Sequence, residues 1–336
     1  MFNPQYRIIP YLVGVLEKIA THIGLIQQTD ISLPLKISLQ KDAVNRSVHS
    51  STWIEGNQLS LAQVVALSVN KDVEAEESQK REVKNCLKAL RWVLQNKSRP
   101  LTEQRLLKLH AMMTEGLLPP DRCGRYRNVQ NYIVNARKVV VYTPPAPAKV
   151  KQRMRDLFTW VDKSQKEHSI IRSAIFHHEC VAVHPFVDGN GRVVRAAFQW
   201  LLFEKGYEPA HTLGLDEFFA QDRKRYYDLL QQTHDLDGDY TYWVEYVAEG
   251  LLDSVQKIVE RLKGKRRIFQ EKKLALTPKQ EELLKILAGE GVLGSAPICQ
   301  KMNINRARVN QLIAPLVKAG IVIQKGKTRA ASYVLA

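Results

Sequence analysis

Twelve consecutive residues, His184-Pro185-Phe186-Val187-Asp188-Gly189-Asn190-Gly191-Arg192-Val193-Val194-Arg195, hold a base, a carboxylate, two glycines, an amide and two guanidiniums. After them, Val194 to Leu202 carries apolar residues at helical spacing and stops at Gly206, so the stretch reads as a turn opening into a helix N-terminus. Gly189 and Gly191 permit backbone conformations that a β-carbon forbids and let an anion come close. The helix start directs free N–H groups and the positive end of its dipole at that anion. Arg192 and Arg195, three apart, share the adjoining face. The chemistry this predicts is a polyphosphate cradle. Asp188 is a hard oxygen ligand suited to holding Mg²⁺ beside the phosphates. His184 could take a proton from an incoming hydroxyl, work that wants a pKa near neutrality. The Asn190 amide could donate to a phosphate oxygen. The bland alternative is a helix N-cap made by Asp188 or Asn190, with His184 merely on the surface. That explains a lone Gly-Asn-Gly but not so many functional groups at fixed spacing.

The stretch resembles the HPFx(D/E)GNGRxxR motif of Fic-domain proteins, and every specified position matches. The resemblance implies a mainly helical fold, an ATP and Mg²⁺ site, and transfer of AMP to a hydroxyl side chain of a target protein. It implies His184 as the base and Asp188 as the metal ligand. Gly189, Asn190 and Gly191 would form the anion hole, with Arg192 and Arg195 on the β- and γ-phosphates. Phosphorylating relatives carry Ala and Lys at two of these loop positions, so Gly189 and Gly191 favour AMP transfer.

The elements around the motif must position it. Residues Phe2 to about Gln95 read as helices. Within them, Asp42 to Ile54 has apolar residues at helical spacing, and Gly56 is a natural stop. Taken alone, Glu55 is a carboxylate near a helix end, where the dipole slightly disfavours it. The resemblance gives it more weight, because Ser51-Thr52-Trp53-Ile54-Glu55-Gly56 looks like the (S/T)xxxE(G/N) inhibitory motif of Fic proteins. There the glutamate reaches the second motif arginine, Arg195 here. One guanidinium cannot hold a carboxylate and a phosphate bidentately at once, so the expectation is an enzyme autoinhibited at rest.

Leu101 to Leu118 reads as an amphipathic helix opened by Thr102 and ended near Pro119-Pro120. Cys123-Gly124-Arg125-Tyr126-Arg127 is similar to the G-x-x-R that precedes the Fic flap. Asn131 to Tyr142 then has two β-rich pieces around Asn135-Ala136-Arg137. They read as a small hairpin, which in Fic relatives pairs with the target backbone by strand addition. Lys149 to Lys166 and Ser169 to Val183 read as helices, the second delivering the chain to His184. Tyr226 and Tyr227 lie in a segment resembling the Fic helix whose tyrosines flank the nucleotide. A tyrosine pair on a helix serves a core equally well. Tyr240 to Leu252 reads as the closing helix, followed by a charged connector with Lys263, Lys265, Arg266 and Arg267.

From Leu276 the pattern changes to three helices and two strand-like pieces, the layout of a winged helix-turn-helix, which it also resembles. Arg306, Arg308, Asn310 and Gln311 open its third helix, as groove reading requires, and Lys325, Lys327 and Arg329 in the wing could meet phosphate. A dimerisation or protein-docking module is the alternative. The charge supports a distinct C-terminal part: residues 261 to 336 carry 16 Lys and Arg against 4 Asp and Glu, +12 of the chain's +16. The first 260 residues hold the remaining +4.

The 336 residues, 45% hydrophobic and 25% charged, suit a soluble protein of two or three domains. The apolar run Ile8 to Leu16 ends at Glu17 and lacks a basic leader, so a core helix is expected instead of a signal peptide. No other stretch approaches a membrane span. Cys86, Cys123, Cys180 and Cys299 form no CxxC pair and read as reduced thiols of a cytoplasmic protein. His177-His178-Glu179 has no histidine four residues after His178, which argues against zinc. In Fic relatives the His177 position packs beneath the active loop.

Together these readings give a mainly α fold: a multi-helical Fic fold with a small β-hairpin flap, plus a C-terminal winged helix-turn-helix domain. The expected division is a helical domain over 1–100, a Fic core over 101–252, a basic connector over 253–275 and the winged-helix domain over 276–336. The expected function is transfer of AMP from ATP to a Ser, Thr or Tyr hydroxyl of a target protein or of the chain itself. Removal of AMP, transfer of UMP or phosphate, or a DNA-binding regulator with a nucleotide-sensing Fic module are the alternatives. The expected partners are the target protein and DNA or protein at the winged helix. A homodimer is one arrangement whose loss could free the inhibitory helix.

Overall fold

The computed structural model describes residues 2–29, 31–134, 137–208, 214–236, 238–269, 276–326 and 331–335, with the side chains of 263–269 left aside. Lys263, Lys265, Arg266 and Arg267, the tip Asn135-Ala136 of the expected flap, and Lys327 and Arg329 of the expected wing therefore lie outside the described side chains.

Among the described residues the chain is fourteen helices and two small sheets. The N-terminal part is α1 (Pro10–Gln28), α2 (Leu33–Ile54), α3 (Leu61–Ser68) and α4 (Glu77–Gln95). Then come α5 (Glu103–Thr114), the hairpin β1 (Ile133–Val134) and β2 (Val140–Tyr142), α6 (Pro147–Lys163), α7 (Ser169–Val183) and α8 (Asn190–Phe203). After α9 (Leu215–Gln221) and α10 (Arg223–Asp235), α11 runs unbroken over Thr241–Phe269. The closing helix expected to end at Leu252 thus continues through about three quarters of the connector, to Phe269. No proline interrupts 253–269, and Val255, Ile258 and Leu262 keep a buried stripe at helical spacing.

The middle of the fold is α8, in which every residue except Gly191 is buried. One apolar cluster joins Val83, Leu87 and Leu90 of α4 to Leu106 and Leu109 of α5, Met154 of α6 and Val193, Ala197 and Trp200 of α8. On the other side, Phe198 and Leu202 of α8 join Leu12 and Ile19 of α1, Ile171 and Ile175 of α7, and Trp243 and Val247 of α11. The motif helix is thereby held from both flanks. Packing of this kind, more than intrinsic helix propensity, fixes the position of α8.

The C-terminal unit is α12 (Pro278–Glu290), β3 (Leu293–Gly294), α13 (Ser295–Met302), α14 (Arg306–Lys318), β4 (Val322–Lys325) and β5 (Ser332–Leu335). Thr277 and Gln280 form a capping box on α12, and Asn305 caps α14 by accepting from the Arg308 N–H. The three strands pair antiparallel in the order β3-β5-β4. The two-residue β3 is too short to read from sequence alternation.

This unit docks on α2. Ile37 belongs to the same apolar cluster as Leu283, Leu284 and Leu287, and Lys41 Nζ donates to the Leu335 carbonyl at 2.6 Å. Ile37→Ala is expected to destabilise the protein by about 2–4 kcal/mol, the cost of a buried large-to-small change. Chemical denaturation checks this, and a loss below about 0.5 kcal/mol would mean that the side chain is not tightly packed.

Candidate active site

His184 is the C-cap of α7 and adopts a left-handed conformation, φ 48° and ψ 60°. Such a backbone is costly for a residue with a β-carbon, and the surroundings hold it there. Arg127, buried, donates through Nε to the His184 carbonyl at 2.8 Å, and its backbone N–H donates to the Pro185 carbonyl at 2.9 Å. Asn131 Nδ2 donates to the Phe186 carbonyl at 2.9 Å. His110 of α5 stacks on Phe186 with ring centroids 3.8 Å apart. Its Nδ1 accepts the Gly124 N–H at 2.8 Å, so the proton sits on Nε2, which donates to the Asp188 carbonyl at 3.0 Å. Burial, opposed by Asp188, lowers the His110 pKa to about 4 and keeps the ring neutral.

Gly189, with φ 78°, occupies the N-cap position of α8 and gives it no side-chain cap. The bland alternative, an N-cap made by Asp188 or Asn190, is not what the helix start uses. Asn190 instead accepts the Phe186 N–H at 2.8 Å and donates Nδ2 to the Phe186 carbonyl at 2.9 Å. Its amide is turned inward to close the loop and is 3% exposed, which leaves the backbone N–H groups of the helix start as donors to an anion. Asp188 stays outward, its side chain 61% exposed, paired with Arg192 Nη2 at 3.3 Å. Among the described residues there is no group of three or more side chains able to hold a metal. A cation here would take Asp188 plus phosphate and water oxygens, a donor set that fits Mg²⁺.

Glu55, just after α2, meets the arginine that the resemblance implied: Arg195 Nη2 donates to Glu55 Oε1 at 2.8 Å. The same guanidinium donates to the Ser51 hydroxyl at 2.9 Å and the Ser51 carbonyl at 2.7 Å. Behind it, Asp216 of α9 lies 3.9 Å from Nε and also accepts from Gln199 Nε2 at 2.8 Å and from the Ser47 hydroxyl. Burial alone would lower the Arg195 pKa, but Glu55, Tyr226 and Asp216 outweigh it, and the pKa ends above the usual arginine value. A β-carbon on Gly191 would come within 2.1 Å of Glu55 Oε1 and 2.9 Å of Arg195 Nη1. The space that a β-carbon would fill is occupied by the glutamate.

The tyrosine pair separates. Tyr226 is buried in the aromatic cluster, 4.7 Å from Phe219 between ring centroids and with its hydroxyl 3.4 Å from His177 Nε2. Tyr227 is 41% exposed, with Arg223 over its ring at 5.6 Å. Tyr226 thus serves as core beneath Arg195, and Tyr227 is the member of the pair open to a ligand. The flap hairpin pairs Ile133 with Tyr142 and Val134 with Val140, and leaves Tyr132, Val134, Val139, Val140 and Val141 exposed.

Sequence reading missed His110, Asn131 and Asp216, and it noted Arg127 only as part of a resemblance. Each acts by burial and by contacts with backbone or with a residue far along the chain, so no local spacing marks it.

Burial, opposed by Val181 hydrogen bonding and the Glu55 charge, lowers the His184 pKa from its ordinary value of 6.5 to about 4. The expected outcome of an NMR titration is an imidazole that stays neutral from pH 7.5 to 5. A midpoint near 6.5 would show that the ring is solvated. The unfolded chain takes protons at His110, His178 and His184 below pH 6.5, while the folded chain resists until about pH 4 or lower. Stability therefore falls as pH drops through that window.

Residues 100–202 match the Fic/DOC family. The chain is 30% identical over 224 residues to the protein adenylyltransferase Fic of Nematostella vectensis, covering 65% of this chain and 49% of that one. It is 28% identical over 252 residues to the protein adenylyltransferase fic-1 of Caenorhabditis elegans, covering 72% and 47%. The chain thus spans about half the length of the curated relatives it matches. The crystal structure of a Fic family protein from Desulfovibrio desulfuricans G20 superposes with a TM-score of 0.69 at 25% identity, covering 100% of this chain and 98% of that one. Fic-1 from C. elegans superposes with a TM-score of 0.61 at 25% identity over 76% of this chain and 72% of that one. With the motif loop, the flap and the helix cluster around α8 all in place, residues 100–202 are a Fic domain of the Fic/DOC family.

Proposed function

We propose that the chain is a protein adenylyltransferase that moves AMP from ATP to a Ser, Thr or Tyr hydroxyl and is held inactive at rest by Glu55. The observation that carries this reading is the 2.8 Å contact between Glu55 and Arg195 beside Gly191, which engages the guanidinium assigned here to a terminal phosphate. With Glu55 withdrawn, the N–H groups of Gly189, Asn190 and Gly191 and the two guanidiniums receive the triphosphate. His184, neutral at pH 7, takes the proton of the target hydroxyl, a weak nucleophile at its own pKa. That oxygen bonds to the α-phosphorus as the bond from the α-phosphorus to the bridging oxygen breaks, and pyrophosphate leaves with its charge on Arg192, Arg195 and the loop N–H groups. Mg²⁺ held by Asp188 would supply neutralising charge on the phosphates. Tyr227 is the residue assigned to the nucleotide's outer side. The exposed edge of the flap offers a target segment backbone partners by strand addition.

A charge-assisted bond of this kind is worth about 1.5–3 kcal/mol, so Glu55→Gly is expected to raise self-modification by roughly ten- to a hundredfold. Incubation with α-labelled and, separately, γ-labelled ATP checks this in wild type, Glu55→Gly and Glu55→Gly/His184→Ala. Label from the α-position on Glu55→Gly alone supports adenylyl transfer, the base and the restraint together. Label from the γ-position would make the activity phosphoryl transfer, and loss of AMP from a modified protein would make it the reverse reaction.

For the C-terminal unit we propose a winged helix-turn-helix that meets duplex DNA. The exposed side chains of Arg306, Arg308, Asn310 and Gln311 on α14 support this, since its apolar residues Val309, Leu312, Ile313 and Leu316 are turned inward. Fluorescence anisotropy with a labelled duplex should show salt-dependent binding that survives His184→Ala and weakens on Arg308→Ala. No binding at low salt would leave the face to a protein partner. No described helix is long and apolar enough to cross a membrane, and four free thiols accord with the cytoplasm as the working compartment.

A further inference from the structure

Glu55 engages only one of the two motif guanidiniums. Arg192, 5% exposed, is held by a different carboxylate, Glu82 of α4, which contacts Nη1, while Asp188 contacts Nη2 at 3.3 Å. Glu82 is committed on its other side as well: its Oε2 accepts Asn57 Nδ2 at 2.6 Å. Asn57 is the second residue after Glu55 and is 4% exposed. Its Nδ2 also lies 3.2 Å from the Gln79 carbonyl, its Oδ1 accepts the Leu59 N–H at 3.0 Å, and its own N–H donates to the Thr52 carbonyl at 3.1 Å. Asn57 therefore sets the turn that ends α2, and Glu82 fastens that turn to Arg192. The contacts close a ring, from Arg195 through Glu55, Gly56, Asn57 and Glu82 to Arg192, whose last side is the single turn of α8 between the two arginines.

We propose that Glu82 is a positioning residue that couples the two guanidiniums: it seats Glu55 on Arg195 only while Glu82 itself holds Arg192. This rests on the reading of the site given above. Glu82 holds Nη1, Asp188 holds Nη2 and Nε is without a hydrogen-bond partner among the described residues, so a phosphate that takes the Nη1–Nη2 fork of this buried guanidinium must displace Glu82. Once Glu82 turns from Arg192, Asn57 loses the shorter of its two Nδ2 contacts, and the Glu55 turn loosens. Occupation of the first arginine thus favours release of the second, a linkage between two positions that runs equally in both directions.

The test is a four-member cycle in the full chain: wild type, Glu82→Gln, Glu55→Gly and the double variant, each assayed for transfer of α-label from ATP. Hydrogen exchange of the 55–59 backbone is measured alongside. Glu82→Gln is expected to raise self-modification about five- to thirtyfold in the wild-type background, to raise Glu55→Gly by distinctly less, since only the easier access of phosphate to Arg192 remains there, and to speed exchange across 55–59. An equal rise in both backgrounds would sink the proposal, since it would mean simple relief of negative charge near the nucleotide. So would an equal fall in both with a lowered melting temperature, the mark of a purely structural role, or an unchanged rate with unchanged exchange. Asn57→Ala, which leaves Arg192 paired with Glu82, must reproduce the background-dependent rise, and decides the matter if Glu82→Gln does not fold. If Glu55→Gly takes no α-label but Glu82→Gln still speeds exchange across 55–59, the adenylyl-transfer reading falls while the tie between Glu82 and the turn stands.

Discussion

A guanidinium sealed from water beneath a helix end is the constraint around which this protein is arranged. Arg195 is 1% exposed, and an unpaired charge at that depth would be prohibitively costly. Two carboxylates answer it, and they come from opposite directions. Asp216 arrives from behind on α9 and is itself fully enclosed, receiving the Ser47 hydroxyl and the Gln199 amide. Glu55 arrives from the front and is 29% exposed at its side chain. The pair is thus asymmetric: burial raises the pKa of the rear carboxyl, opposed by Arg195 and by the Ser47 and Gln199 donors, and the site encloses it, whereas the front carboxylate stays open to solvent.

The same requirement explains why α2 buries so many polar side chains. Ser47, Ser51 and Glu55 recur at four-residue intervals, which places them on one helix face, and that face lies along Arg195 and Asp216. In isolation such a helix is weakly amphipathic, and its polar stripe looks like a solvated surface. Its stability comes from what it touches: apolar contacts with the C-terminal unit near one end and charge-assisted hydrogen bonds at the other.

How much of this was legible in the sequence depended on how local the interaction is. The loop from His184 to Arg195 was legible because one turn and one helix start hold all of its groups, so spacing carries the geometry. Glu55 was legible only by resemblance, since no spacing rule connects it to an arginine 140 residues away. The Asn190 amide illustrates the opposite failure: its type suits phosphate binding, yet its oxygen and nitrogen are both spent on the Phe186 backbone. His110, Asn131, Glu82 and Asp216 carried no signal at all, because the packing of separate helices creates their roles. Tyr226 and Tyr227, adjacent in sequence, ended in different environments because neighbours on a helix point about 100° apart.

The unbroken length of α2 has a consequence for the protein as a mechanical object. Its 22 residues span roughly 33 Å at the usual rise per residue, and no proline or glycine after its first turn offers a hinge. One end packs into the apolar cluster of the C-terminal unit, and the other delivers Glu55 to Arg195. The helix is also gripped between its ends, by α4 through Val44 and Val48 and by Asp216 of α9 through Ser47, so the turn that carries Glu55 and the surface that receives the C-terminal unit belong to one continuous element with no joint between them.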